Sequence, residues 1–379
     1  IDDQKVIFEE ALRIGINAHL HNEKSVLIVE GGPGTGKSVL AINLLKQFLN
    51  RSLNSFYVTK NSAPREVFKA KLKIDKMSGL NNLFKGSGSF YDCEPNSFDV
   101  LIVDEAHRLN KKSGLFSNLG ENQIKEIINS SKFSIFFIDE NQRVTLKDNG
   151  SIDEIKKYAR YYNAGIHKME LKSQFRCDGS DGYLAWLDNV LDIRETANFD
   201  LDSKYDFRVL DDPNEVRRLI EEKNRENNKS RMVAGYCWNW ISEGKNKSDV
   251  HDIVISKYNF EMSWNLGNSS TWAIDKESIN EIGCIHTCQG LEFDYVGVII
   301  GDDLRYENDH IVTDYTKRAK TDQSIKGINK IAQEQGEDEA KRITDIIIKN
   351  TYKTLMTRGM KGCYVFCTNE KLNEYLKNR

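Results

Sequence analysis

Residues 29–40 read VEGGPGTGKSVL, from Val29 to Leu40. The apolar run SVLIVE precedes the glycines and the helical pattern KSVLAINLLKQFL follows them. This is a strand, a tight turn and a helix start. Gly31-x-x-x-x-Gly36-Lys37-Ser38 in that setting is a P-loop pattern, and the glycines free backbone N–H groups to turn inward around a phosphate. Gly31, Gly32, Pro33, Gly34, Thr35 and Gly36 would form the cradle. Lys37 would reach the β- and γ-phosphates, and the Ser38 hydroxyl would ligate Mg²⁺.

Outward from the loop, short apolar runs alternate with helical patterns. SVLIVE, SFYVT, FDVLIVDE and FSIFFIDE each end in a polar or small residue. Such runs suit strands buried on both faces of a parallel sheet, whose carboxyl ends carry the ligand site. A second α/β set begins with YDFRVL and the charged helix PNEVRRLIEEKNREN. It continues through SRMVAGYCW, GCIHTCQGLEFDYVGVII and KGCYVFCT. The reading is a first domain over 1–172 and a second over 173–379, with a polar excursion at about 302–342 that holds some helix near its end. At 379 residues the chain suits two domains rather than one core.

Net charge is only −3, so binding to nucleic acid requires a local basic groove rather than a global field. No apolar run approaches the roughly 20 residues of a membrane helix. Seven cysteines without secretory context suit a reducing, cytoplasmic setting. Cys284, Cys288, Cys363 and Cys367 invite a zinc reading. Residues 363–367 read as strand, however, and four residues of strand span roughly 13 Å. Two ligands of one zinc, at about 2.3 Å each, cannot lie so far apart. The chain opens on Ile1 rather than Met, which reads as a segment of a longer protein.

Two further strand ends supply chemistry. In LIVDEAH (101–107), Asp104 would hold Mg²⁺ through its water shell, and Glu105 would orient and deprotonate an attacking water. The plain alternative is a pair of acids opening a helix, and His107 reads either as a cap or as packing. In FIDENQRV (137–144), Gln142 offers a neutral amide to the γ-phosphate, and Asp139 would position the loop. This half alone fits small-molecule kinases, AAA-type machines and motor ATPases. Later, LKSQFRC places Arg176 between the halves, and YKTLMTRGMKGCYVF places Arg358 at a helix end. Two arginines facing a transferred phosphoryl group contribute on the order of 10³–10⁵ in rate.

In order, the P-loop, DEAH, DENQ, QFR, HTCQGLEFDYV and LMTRGMKG resemble the motif series of superfamily 1 DNA/RNA helicases. The last three, with CDGSDGYLAWLDNVL (177–191), most resemble the Schlafen-type (group III) DNA/RNA helicase domain, and the likeness runs from about Gln4 to the last strand. The resemblance implies two RecA-like P-loop NTPase domains with parallel sheets. It places ATP in the cleft between them and single-stranded nucleic acid across their tops. It puts Lys37 and Ser38 in motif I, Asp104 and Glu105 in motif II and Gln142 in motif III. Arg176 falls in motif IV, Gly290 and Glu292 in motif V, and Arg358 in motif VI. Gln4 matches the glutamine that reads adenine, although it stands further ahead of the P-loop than the pattern has it.

The same resemblance draws nucleic-acid contacts from loops at strand ends away from the P-loop. In YVTKNSAPR these are Thr59, Lys60 and Asn61, and in the second domain His286 and Thr287. Phosphate contacts of this kind position a strand without reading its sequence. In GYCWNW (235–240), Tyr236, Trp238 and Trp240 alternate as on a strand. Trp240 would offer a ring to a base, worth about 1–3 kcal/mol, unless these aromatics are core. Between Arg176 and His286 there is room for sheet strands but not for a large inserted subdomain, which counts against strand separation more than against ATP hydrolysis. Two functional expectations stand: a nucleic-acid-dependent ATPase that moves on or remodels single strands of DNA or RNA, and an ATP-gated binding switch within a larger protein. A P-loop kinase of small molecules would leave HTCQGLEFDYV and LMTRGMKG unexplained.

Overall fold

The structure is a computed structural model and describes residues 2–71, 82–114, 117–172, 181–198, 201, 205–241, 250–265 and 271–379. The chain divides into two compact units, Ile1–Arg143 with Lys147–Phe175, and Val144–Leu146 with Arg176–Arg379.

The first unit contains, in order, α1 (Asp2–His21), β1 (Ser25–Gly31), α2 (Lys37–Leu49), β2 (Ser55–Thr59), α3 (Ser62–Lys71) and β3 (Phe84–Gly86). It continues with β4 (Phe98–Val103), α4 (Gln123–Ser130), β5 (Ser131–Ile138), α5 (Ile152–Tyr161) and β6 (Gly165–Leu171). Its six strands lie in the order β3-β2-β4-β5-β1-β6, and every pair is parallel. Side chains alternate across a strand, so a run buried on both faces sends neighbours into opposite cores. Leu27 and Val29 of β1 enter one core with Ile7, Ala11 and Ile14 of α1 and Leu44 and Phe48 of α2. Val26 and Ile28 enter the other with Ile124, Ile127 and Ile128 of α4 and Ile155 and Ala159 of α5. The helices start where polar caps allow: Asn122 accepts from the N–H groups of Ile124 and Lys125, and Ser151 from that of Glu154.

The second unit contains α6 (Asp181–Val190), β7 (Asp206–Val209), α7 (Pro213–Asn227), β8 (Ser230–Ala234), β9 (Ile253–Ile255), β10 (Phe260–Trp264) and β11 (Glu281–Gly283). It continues with α8 (Ile285–Cys288), β12 (Phe293–Ile300), β13 (Leu304–Glu307), β14 (His310–Thr313), α9 (Ile328–Gln335), α10 (Glu337–Met356), β15 (Gly359–Cys367) and α11 (Glu370–Lys377). Its seven-stranded sheet runs β7-β15-β12-β8-β11-β10-β9, parallel except for the pairing of β9 with β10.

Two readings are corrected. Residues 235–240 do not extend β8. The last ladder bond there runs from the Gly235 N–H to the Ile299 carbonyl, next to the end of β12, so Tyr236, Trp238 and Trp240 lie in the following loop. The polar stretch after Gly301 also carries a hairpin, β13–β14, ahead of its helices. A buried ion cluster ties the stretch down. Arg318 donates through Nε to Asp322 (2.5 Å) and through Nη1 to Asp303 (3.1 Å), and the Tyr352 hydroxyl donates to Asp303 as well.

Candidate nucleotide site and nucleic-acid face

The loop from β1 to α2 bends through Gly34 at φ 76° and Gly36 at φ 83°, left-handed conformations that favour glycine. Lys37, 7% exposed, folds its ammonium onto the carbonyls of Gly31 (2.5 Å) and Gly32 (2.7 Å). The Thr35 hydroxyl closes the turn on the Gly32 carbonyl at 3.0 Å. From the first turn of α1, Gln4 Nε2 donates to the Thr35 carbonyl at 2.9 Å, so this distant glutamine lies directly on the loop. A Cβ at position 36 would stand 2.2 Å from that amide nitrogen, a second reason for glycine there.

Asp104 follows β4 and is 2% exposed. Its Oδ2 accepts from Ser38 Oγ (2.6 Å) and from the Tyr57 hydroxyl (2.6 Å), and its Oδ1 accepts from the Glu105 N–H (3.0 Å). Tyr57 reaches it because β2 and β4 are neighbours in a register that sets Tyr57 beside Ile102, two residues before Asp104 on the same face. Burial, and then the charge of Glu105, raise the Asp104 pKa above the usual carboxylate value, while Ser38, Tyr57 and Lys37 pull it back. Burial and the Asp104 charge push the Tyr57 phenol well up.

Glu105 has left-handed backbone, φ 53°, a strained conformation for a residue with a side chain. Its Oε2 stands 2.9 Å from Nε2 of His107, a ring with no exposure. The Asp139 N–H donates to Nδ1 of His107 at 3.4 Å. Asp139 Oδ2 accepts from Gln142 Nε2 at 2.7 Å. Glu105, His107, Asp139 and Gln142 therefore form one contiguous row. Gly150 packs against it so closely that a Cβ would fall 1.8 Å from the Ala106 carbonyl oxygen.

Thr59 closes β2 and is 1% exposed. Lys60 donates to Asn110 Oδ1 (2.8 Å) and Asp148 Oδ1 (3.3 Å), and Arg108 Nε donates to the same Asp148 oxygen (2.9 Å). Burial first, and then the charge of Arg108, lower the Lys60 pKa to about 8. Asn61, half-buried, leads into α3. Because β2 and β1 run parallel, these residues leave the same carboxyl edge as the P-loop, separated from it along the sheet by β4 and β5. This corrects the expectation of a different strand end.

In the second unit Arg358, 1% exposed, donates through Nε to the Thr354 carbonyl (3.0 Å) and through Nη1 to the Leu291 carbonyl (3.1 Å). These bonds join the end of α10 to the turn that holds Gly290, at φ 81°, and the exposed Glu292. His286 and Thr287 sit on the one-turn α8, where the Thr287 hydroxyl donates to Asn265 Oδ1 at 3.1 Å. The half-buried Trp240 ring stacks on Trp264 at 6.1 Å and 11°, and Trp264 stacks on Tyr236 at 5.4 Å and 23°. One face of Trp240 is thus already covered. Arg176 lies outside the described residues.

The family model described as Schlafen group 3, DNA/RNA helicase domain matches residues 24–369. The chain belongs to this family. It is 27% identical to the uncharacterized protein YPL245W of Saccharomyces cerevisiae, over 93% of this chain and 84% of the yeast protein. Among solved structures, the Pif1 helicase from Candida albicans matches at TM-score 0.41 and 12% identity, over 100% of this chain and 99% of that one. Domain III of the Thermotoga maritima replication initiation protein DnaA matches at TM-score 0.26 and 16% identity, over 52% and 75%. Membership rests on the family model alone, since structural likeness at these scores carries no weight.

A helicase-domain protein of this kind implies ATP and Mg²⁺, and the residues present fit them. The Ser38 hydroxyl and the Asp104 carboxylate lie 2.6 Å apart at the head of the P-loop, a pair of oxygen donors suited to a hard dication. The helix α2 starts at Lys37, so its N-terminal end and the positive pole of its dipole lie at the loop, where an anion is favoured. Tyr57 was missed in sequence because its role depends on a neighbouring strand. The link that His107 makes between Glu105 and Asp139 was missed too, since the sequence offered this residue only as a cap or as packing.

Proposed function

We propose that this helicase-domain protein is a nucleic-acid-dependent ATPase that couples hydrolysis of Mg-ATP to movement on, or remodelling of, single-stranded DNA or RNA. The observation that carries the reading is the chain of contacts from the P-loop to Gln142: Ser38 donates to Asp104, Asp104 accepts from the Glu105 N–H, Glu105 stands beside His107, and Asp139 links His107 to Gln142.

The glycine loop and Lys37 hold the β- and γ-phosphates, and Lys37 leaves the Gly31 and Gly32 carbonyls to do so. Bound Mg²⁺ neutralises phosphate charge. Ser38 and Asp104 supply its protein-side oxygens. Glu105 takes the proton from the water whose oxygen bonds to the γ-phosphorus, as the bond from that phosphorus to the β–γ bridging oxygen breaks. His107 holds the Glu105 side chain in place and joins it to Asp139, so a shift of Gln142 on loss of the γ-phosphate is felt at the base. Arg176 and Arg358 take the finger roles from their place in the motif series. Thr59, Lys60, Asn61, His286 and Thr287 take strand phosphates, and the face of Trp240 turned away from Trp264 takes a base.

The test is steady-state ATP hydrolysis with and without single-stranded DNA and RNA, with Lys37→Ala as the blank. Stimulation by either polymer is expected. Turnover that no polymer changes, beside strand binding that ATP does change, would replace the motor reading with an ATP-gated switch.

A further inference from the structure

Tyr57 projects from the middle of β2 into an aromatic core and has no exposed surface. The Phe68 and Phe84 rings lie 5.9 Å and 5.5 Å from its own, at 75° and 53°. A phenol in such a place needs a partner for its O–H, and the partner is Asp104 Oδ2 at 2.6 Å. Phenylalanine would fill the same volume, so the hydroxyl serves the carboxylate rather than the packing.

An ionised carboxylate oxygen has two lone-pair sites. Ser38 and Tyr57 fill both on Oδ2, and the Glu105 N–H takes one on Oδ1. Among the described residues nothing takes the second site on Oδ1. We propose that Tyr57 is a positioning residue for the divalent ion: its hydroxyl saturates Oδ2 and locks the Asp104 carboxylate so that Oδ1 alone receives a water of the ion's shell. The hydroxyl also stabilises the charged carboxylate against its buried surroundings, while Ser38 keeps its O–H on Oδ2 and offers its oxygen lone pairs to the ion. The proposal rests on the ATP-site reading and adds a residue to it. Tyr57 touches neither nucleotide nor ion in this scheme and acts only through Asp104.

The experiment is a Mg²⁺ titration of the binding of a fluorescent, non-hydrolysable ATP analogue to the wild-type chain, Tyr57→Phe and Phe68→Leu, with thermal unfolding of each. A hydrogen bond to a charged group is worth about 1.5–3 kcal/mol, so Tyr57→Phe is expected to raise the half-saturating Mg²⁺ roughly tenfold or more. Its affinity for the analogue without Mg²⁺ should stay at the wild-type value. Phe68→Leu loosens the packing around the ring but keeps the hydroxyl, and is expected to lower the unfolding temperature without moving the Mg²⁺ midpoint. Wild-type Mg²⁺ dependence in Tyr57→Phe, or an equal shift in both variants, overturns the role of Tyr57 while the ATP site stands. Wild-type protein that binds no analogue at any Mg²⁺ concentration overturns the ATP-site reading and this proposal with it.

Discussion

Glu105 combines strained left-handed backbone, burial and a histidine 2.9 Å from its carboxylate. Strain of this kind costs about 1–3 kcal/mol and persists only where the surroundings impose it. Here the imposing contacts are the Asp104 carboxylate on the Glu105 N–H and the packing of Gly150 on Ala106. Glu105→Gln keeps that shape and removes the proposed proton acceptor. It is expected to bind ATP within a few-fold of wild type and to hydrolyse it at least ~100-fold more slowly, from the usual worth of a positioned general base. Single-turnover assays beside equilibrium nucleotide binding check this. A turnover near wild type would move the base to another residue.

Lys60 shows what happens where β2 gives way to α3. It donates to the Asp148 carboxylate and is one of the residues proposed to take a strand phosphate. Folding lowers its pKa from 10.5 to about 8, chiefly by burial. For a base this means that the ammonium costs stability below pH 8, and that the cost fades as pH climbs from 8 towards 10.5. With Lys60 in the proposed strand contact, affinity for a strand runs the other way, because that contact weakens as Lys60 discharges. Single-strand affinity is therefore expected to fall as pH rises from 7 to 9 while thermal stability does not fall with it. Lys60→Met should flatten that pH dependence. Fluorescence anisotropy with a labelled oligonucleotide, run across pH at constant ionic strength, measures both chains.

On the scale of the whole chain, charge is nearly balanced, at −3 in 379 residues, so strand binding must come from local contacts. Each phosphate neutralised on a single strand contributes a slope of about −0.7 in log affinity against log salt. Binding is expected to weaken steeply between 50 and 200 mM salt, roughly as several such contacts require. Salt-independent affinity would argue against the phosphate-contact reading. The second unit depends on a different charge arrangement. Burial lowers the Arg318 pKa, but Asp322 and Asp303 outweigh it and leave the guanidinium firmly charged. Asp322→Ala strips one partner from a side chain with no exposure and is expected to cost about 3–5 kcal/mol in urea unfolding. Arg318 lies in the stretch that the sequence presents as a polar excursion. Part of its polarity is internal: Asp303, Arg318 and Asp322 face one another out of water.

The sequence by itself determined the P-loop, the DEAH acids, the order of the later motifs and the family to which they belong. Each is a run of adjacent residues whose local backbone carries its meaning: glycines where φ must be positive, acids where a strand ends. Tertiary structure alone decided the contacts between runs. Gln4 reaches Thr35 because α1 packs along α2, and Tyr57 reaches Asp104 because β2 and β4 pair in one register. His107 joins Glu105 to Asp139 because β4 and β5 are neighbours. Trp240 leaves the strand because β8 loses its ladder partner. Spacing along the chain does not encode such distances; sheet order and register do.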